Sequence, residues 1–164
     1  MKETVVVTLL DADDWKRLRD LRLRSLKENP EAFGGLFEIE ELIAEDGWRA
    51  KFEAVDYLAA SIDGFDVGLM SVEVLEGDHG ATCWVGGCWT DSNYRGRGVL
   101  RAMISYVDSH ALEHGWQRQG LGVWADNLTA IAAYESLGFS KTGPMKPSDR
   151  HPGKFYLHMI RDAQ

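Results

Sequence analysis

The clearest period in the chain lies at 99–113, where Leu100, Met103, Ile104, Val107 and Ala111 recur at steps of three and four. That spacing lines them along one face of a helix. Gly115 just beyond is a natural helix stop. A run of β-branched and apolar residues at 4–10 predicts an opening strand. Asp11-Ala12-Asp13-Asp14 then supplies N-cap and first-turn carboxylates for a helix with Trp15, Leu18, Leu21 and Leu26 inward, and Asn29-Pro30 ends it. Residues 31–37 form a loop with two glycines. Residues 38–52 read as helical, with Ile39, Leu42, Ile43 and Trp48 inward and Gly47 closing a first segment.

Three strands are predicted next, at 55–62, 67–75 and 81–90. They are separated by an Asp63-Gly64 hairpin turn and a polar turn at 76–80. Gly68 and the pair Gly86-Gly87 fall inside strands and mark bulges or close backbone approaches. Beyond the long helix, 119–125 reads as a strand, Asp126-Asn127 caps a short helix at 128–136, and Gly138 ends it. A strand at 139–142, a polar loop at 143–154 holding three of the four prolines, and a last strand at 155–161 complete the chain. The order βααβββαβαββ predicts an α+β fold, a mixed sheet of six or seven strands flanked by about four helices, in one domain spanning 1–164.

Composition narrows the function classes. With a net charge of −8 the chain does not suit general nucleic-acid binding. No apolar run approaches the roughly 20 residues of a membrane span, and charge returns at Asp11 too early for a secretory leader; a cytoplasmic protein is expected. Cys83 and Cys88, an odd spacing apart on one strand, are expected on opposite faces, unpaired and reduced. No metal site is expected. His110 and His114 have ligand spacing, but they suit a helix C-terminus whose dipole favours them.

The stretch with chemistry is Asn93-Tyr94-Arg95-Gly96-Arg97-Gly98-Val99-Leu100. It joins a strand to the N-terminus of the long helix. Gly96 and Gly98 let backbone amides approach a ligand without Cβ interference, and the first helical turn adds unpaired N–H groups and a positive dipole end. The arginines at 95, 97 and 101 add charge. This is a phosphate cradle, and the absence of a following Gly-Lys-Ser/Thr separates it from a Walker loop.

A second cluster, Asn127-Leu128-Thr129-Ala130-Ile131-Ala132-Ala133-Tyr134, continues to Gly138-Phe139 and places Asn127, Ile131 and Tyr134 on one helical face. With both clusters in this order, the chain resembles the GNAT superfamily of acyl-CoA-dependent N-acetyltransferases. That family has [Gln/Arg]-x-x-Gly-x-[Gly/Ala] at its pyrophosphate loop and Asn-x-x-Ala-x-x-x-Tyr further on. The resemblance runs in element order over nearly the whole chain and is tightest from Trp89 to Phe139. It implies a GNAT-like sheet splayed between the strand before the glycine loop and the next one. It also implies acetyl-CoA as co-substrate, its pantetheine arm paired with the strand at Trp89 and Thr90 and its pyrophosphate held by the amides of Arg95, Gly96, Arg97, Gly98, Val99 and Leu100. Asn127 would bond the pantetheine arm, and Tyr134 would protonate the departing thiolate. The implied partner is a primary amine of a small molecule or a protein, and a homodimer is common among members.

Two features depart from the family pattern. Asn93 stands where the loop usually begins with Gln or Arg, and no carboxylate lies on the strand at 81–90 to act as base. Glu73, Glu38, Glu41, His79 or a water chain remain as alternatives for the base. These departures keep open a second reading, a CoA-binding sensor or scaffold that has lost transfer. The acidic residues Glu38, Glu40 and Glu41 suit a cationic acceptor as well as a solvated helix face.

Overall fold

The computed structural model describes residues 3–164. Seven strands form one sheet in the order β1-β2-β3-β4-β5-β7-β6. They are β1 (Val5–Leu9), β2 (Asp56–Ile62), β3 (Phe65–Val74), β4 (Cys83–Thr90), β5 (Arg118–Trp124), β6 (Ser140–Pro147) and β7 (Phe155–Asp162). Every neighbouring pair is antiparallel except β4 and β5, which are parallel. The helices are α1 (Trp15–Glu28), α2 (Phe37–Glu40), α3 (Glu45–Ala50), α4 (Val99–Ser109), α5 (Ala111–His114) and α6 (Leu128–Ser136). This is the expected α+β architecture with its mixed, mostly antiparallel sheet.

Strand alternation sends side chains to two cores. Leu58 and Ala60 pack with Met103, Ile104 and Val107 of α4 and Ile131 of α6, whereas Ala59 and Leu69 pack with Leu18 and Leu21 of α1 and Trp48 of α3. Gly68 on β3 lets α4 approach: a Cβ there would lie 2.7 Å from Val99 Cγ1 and 3.3 Å from Met103 Cε. The N-terminus of α4 is thereby seated against the sheet.

The pairing of β4 carries the main irregularity. Leu69 faces Trp89 and Ser71 faces Gly86, so three steps of β4 match two of β3. The extra residue is absorbed at Gly87, whose φ of 54° favours glycine. The bulge reverses the side-chain phase and overturns the expectation for the cysteines: Cys83 is in the α4 core and Cys88 packs against that same core. Both are free thiols. On its other side β4 pairs with β5 only from Cys83 to Val85, so the two strands part where the bulge begins.

Several boundaries differ from the sequence pattern for local reasons. The helical stretch expected at 38–52 breaks between α2 and α3, upstream of Gly47, because the Trp48 indole N–H donates to the Ile43 carbonyl at 3.1 Å and fixes the turn there. Gly47 lies inside α3, where a Cβ would meet Ile43 Cγ2 at 2.6 Å. Ile39 and Leu42 do not turn inward; they are 62% and 80% exposed. The strand expected at 139–142 extends to Pro147 as an edge strand, with the extra residues of a bulge between Thr142 and Lys146 accommodating Gly143 and Pro144.

One buried polar cluster ties the second half together. Arg161 on β7 donates to both carboxylate oxygens of Asp108 on α4, at 2.7 and 2.8 Å, to Gln119 Oε1 on β5 at 3.0 Å and to the Leu137 carbonyl at 2.7 Å. The two charged side chains are only 5% and 11% exposed, and Gln119 Nε2 also donates to Asp108.

Candidate active site

The parting of β4 from β5 opens a cleft of about 810 Å³. Cys88, Trp89 and Thr90 of β4 form one wall, and Trp124, Asn127 and Tyr134 form the other. Beyond Val85 the β5-facing edge of β4 has no strand partner, leaving main-chain groups free to pair with an extended ligand.

The glycine turn closes one end. Gly96 and Gly98 have φ of 74° and 82°, and a Cβ on either would meet no protein atom within 4 Å. They face open space at the end of the cleft. Gly98 is the N-cap of α4, and its carbonyl accepts from Ala102 at 2.9 Å. The amides from Arg95 to Arg101 donate to no group among the described residues. Such a cluster of free amides at a helix N-terminus fits a pyrophosphate. Replacing Gly98 with alanine should strain the turn by about 1–3 kcal/mol and raise the Kd for acetyl-CoA about tenfold, as calorimetry would measure.

Helix α1 holds this turn in place. Arg24 donates to Asp91 at 2.7 Å, Glu28 accepts from the Ser92 amide at 2.7 Å, and Asn29 Oδ1 accepts from Arg95 at 2.9 Å. Asp91 in turn accepts from the Asn93 amide. Asn93 is thus used in the approach to the turn and does not line the cleft. The pattern along α1 identified its apolar face; its cationic face gave no hint of a partner about 65 residues away.

Of the residues expected at the site, Trp89, Thr90, Arg95, Gly96, Gly98, Val99, Leu100, Asn127 and Tyr134 all line the cleft. Leu100, expected inward, is half-buried: it packs against the α4 core and also lines the cleft. Arg97 does not line it: its guanidinium bonds Glu3 at 3.0 Å and covers Tyr94, so the turn receives only its backbone. Two cations take its place. Arg101 and Lys154 line the cleft, with the Lys154 ammonium 4.9 Å over the Trp124 ring. Arg101 stood out in the sequence, but Lys154 lies in a polar loop without a marking pattern.

Asn127 Oδ1 accepts from the Ala130 amide at 3.2 Å as the cap of α6, and the residue lines the cleft. Tyr134 and Cys88 face each other. Burial and the neighbouring thiol hold the phenol well above its ordinary value, while burial pushes the Cys88 thiol up to about 11. At neutral pH both keep their protons, which makes Tyr134 a proton donor and leaves Cys88 a poor nucleophile.

None of Glu73, Glu38, Glu41 and His79 lines this cleft or the two cavities that adjoin it. A space of about 370 Å³ shares Cys88, Asn127 and Tyr134 with the cleft and leads to Gly87. A further space of about 410 Å³ shares Arg22, Gly35, Gly87 and Arg150 with it and is floored by Tyr57 and Ser71.

The model of the acetyltransferase (GNAT) family matches residues 15–139, which include α1, the glycine turn and α6. The chain belongs to this family. Among curated proteins, this GNAT chain is similar to human N-acetylaspartate synthetase, at 32% identity over 87 residues (53% of this chain and 28% of that protein). It is also similar to mycothiol acetyltransferase of Corynebacterium glutamicum, at 45% over 49 residues (30% of this chain and 17% of that one). The chain thus spans about a quarter or less of these relatives. The fold matches a putative acetyltransferase from Salmonella typhimurium solved with its cofactor acetyl-CoA, with a TM-score of 0.74 at 16% identity, covering 98% of this chain and 95% of that one. It also matches the ribosomal-protein-S5-alanine acetyltransferase of Vibrio fischeri, with a TM-score of 0.76 at 15% identity, covering 98% and 93%.

Proposed function

We propose that this chain transfers an acetyl group from acetyl-CoA to a primary amine by direct attack in a ternary complex. The observation behind this reading is the convergence, on one cleft, of a free strand edge, a turn of unpaired amides and a protonated tyrosine. Membership of an acetyltransferase family supports it.

Acetyl-CoA supplies the activated acyl group. The amides of the turn and the cations Arg95, Arg101 and Lys154 hold its phosphates, while Trp89, Thr90 and Asn127 orient the pantetheine arm. A main-chain N–H near the bulge stabilises negative charge on the carbonyl oxygen. Tyr134 gives its proton to the departing sulfur, whose thiol is an acid of ordinary pKa about 8.5. No covalent cysteine takes part, in keeping with the raised Cys88 thiol.

The acceptor enters from the side of Gly87, through the two adjoining cavities, and is an amine of a small molecule or of a protein. Thiol release from acetyl-CoA over a panel of amines, with mass detection of the product, tests this reading. Amine-dependent release with a product heavier by one acetyl group is the expected result. Binding of acetyl-CoA without any amine-dependent release would make the chain a CoA-binding sensor or scaffold instead.

A further inference from the structure

The cavity beyond Gly87 has a charge opposite to that of the chain. In a protein of net charge −8, its wall brings Arg22, Lys51 and Arg150 together with a single carboxylate, Glu40. Glu40 is already committed: it accepts two hydrogen bonds from Arg22, at 2.9 and 3.1 Å, and both side chains are largely shielded from water. The remaining Arg22 nitrogen, Nη1, has no partner among the described residues and lies beside Gly87, 3.6 Å from where a Cβ would stand.

Lys51 and Arg150 form no ion pair among the described residues. The Lys51 ammonium is 5.4 Å over the Trp48 ring, and Arg150 reaches over Gly34. Tyr57 and Ser71 add hydroxyls that donate to no protein group among the described residues, and burial raises the Tyr57 phenol so that it stays protonated. Every uncommitted polar side chain facing this space carries a positive charge or a hydroxyl proton. That is a receptor for an anion. The acidic residues that suggested a cationic acceptor do not supply one: Glu38 and Glu41 are exposed away from the cavity, and Glu40 is paired.

We propose that the acceptor is a small amine carrying an anionic group, a carboxylate or a phosphate, a few bonds from its nitrogen. This rests on the transferase reading above. Lys51, Arg150 and the free Arg22 Nη1 hold the anion, and the amine points past Gly87 toward Tyr134. The same cations address the missing base. With a carboxylate bound, one positive charge of this wall remains in excess, which disfavours the ammonium form and promotes loss of its proton to water in the open cavity; a phosphate dianion cancels that excess and leaves the anion contact alone. The neutral nitrogen forms the C–N bond and the C–S bond breaks. The second nitrogen proton leaves to water, while Tyr134 passes its own proton to sulfur and is reprotonated from solvent, giving amide and free thiol.

Matched amines test this: β-alanine against its methyl ester, and O-phosphoethanolamine against ethanolamine, with acetyl-CoA and the wild-type chain. The anionic member of a pair should show at least about tenfold higher kcat/KM, and the pair with the larger ratio identifies the anion. Lys51→Met should lower that preference about tenfold without changing acetyl-CoA affinity. Calorimetry with glutarate, which has no amine, reads the anion site separately, and Lys51→Met should weaken that binding too. Esters turned over as well as acids, or a Lys51→Met effect equal on both, would overturn the proposal while the transferase reading stands. Lys51-dependent glutarate binding with no amine acetylated would leave the anion site and remove the transferase reading. Absence of both would remove the two together.

Discussion

Replacing Tyr134 with phenylalanine should lower kcat by about 10²-fold or more and leave the affinity for acetyl-CoA essentially unchanged. The substitution removes one hydroxyl from a ring that otherwise keeps its packing against Phe139, whose centroid is 5.7 Å away. The hydroxyl lies opposite Cys88 at the junction of the cleft and the cavity behind it, and among the described residues that line both spaces Tyr134 has the only hydroxyl. Its raised pKa means that it is protonated before the reaction begins, and the phenol acts only as charge develops on sulfur. The expected signature is a fall in kcat matched by an equal fall in kcat/KM. Steady-state rates together with calorimetric binding of acetyl-CoA check it, and an unchanged kcat removes Tyr134 from the chemistry.

The largest loss of stability is expected from Asp108→Ala. It leaves the Arg161 guanidinium buried beside Gln119 without its counter-charge, at a cost of about 3–5 kcal/mol, or a fall in Tm of about 10 °C for a chain of this size. Burial works against ionisation of Asp108, but hydrogen bonds from Arg161 and Gln119 outweigh it and hold the carboxyl below its ordinary 3.8. Because the native value is depressed, the carboxylate's contribution is fully present above the unfolded value and is lost as pH falls through the native one. Urea melts should therefore show a wide gap between wild type and variant at pH 7 and a narrower gap at a pH below 3.8. A constant gap across that range would mean that the ionised carboxylate is not what stabilises the cluster.

The helical and strand periods located the fold because each element has one apolar face. The period at 99–113 gave α4 and, beyond a break at His110 that the pattern did not show, α5; α6 begins and ends at its cap and glycine as read. The lining of the cleft was legible for the same local reason: Gly96, Gly98, Asn127 and Tyr134 occur in two short stretches whose spacing follows from turn and helix geometry. What escaped depends on contacts distant in sequence. Arg24 and Glu28 look like ordinary solvated residues of α1 until Asp91 and Ser92 meet them. Lys51 and Arg150 carry no periodic mark. The faces of Cys83 and Cys88 were misread because counting by two assumes a regular strand, and Gly87 adds a step. Ile39 and Leu42 were misread because a continuous helix was assumed where Trp48 fixes a break.

That added step also determines how the protein can change. The opening between β4 and β5 comes from a residue count: one position too many on one side, taken up by a glycine whose backbone conformation few other residues adopt. Shape is therefore written in length, and chemistry in the side chains around it. Arg22, Lys51 and Arg150, proposed above to hold the acceptor's anion, can be exchanged for other residues while the gap, and the glycine turn beside it, stay as they are.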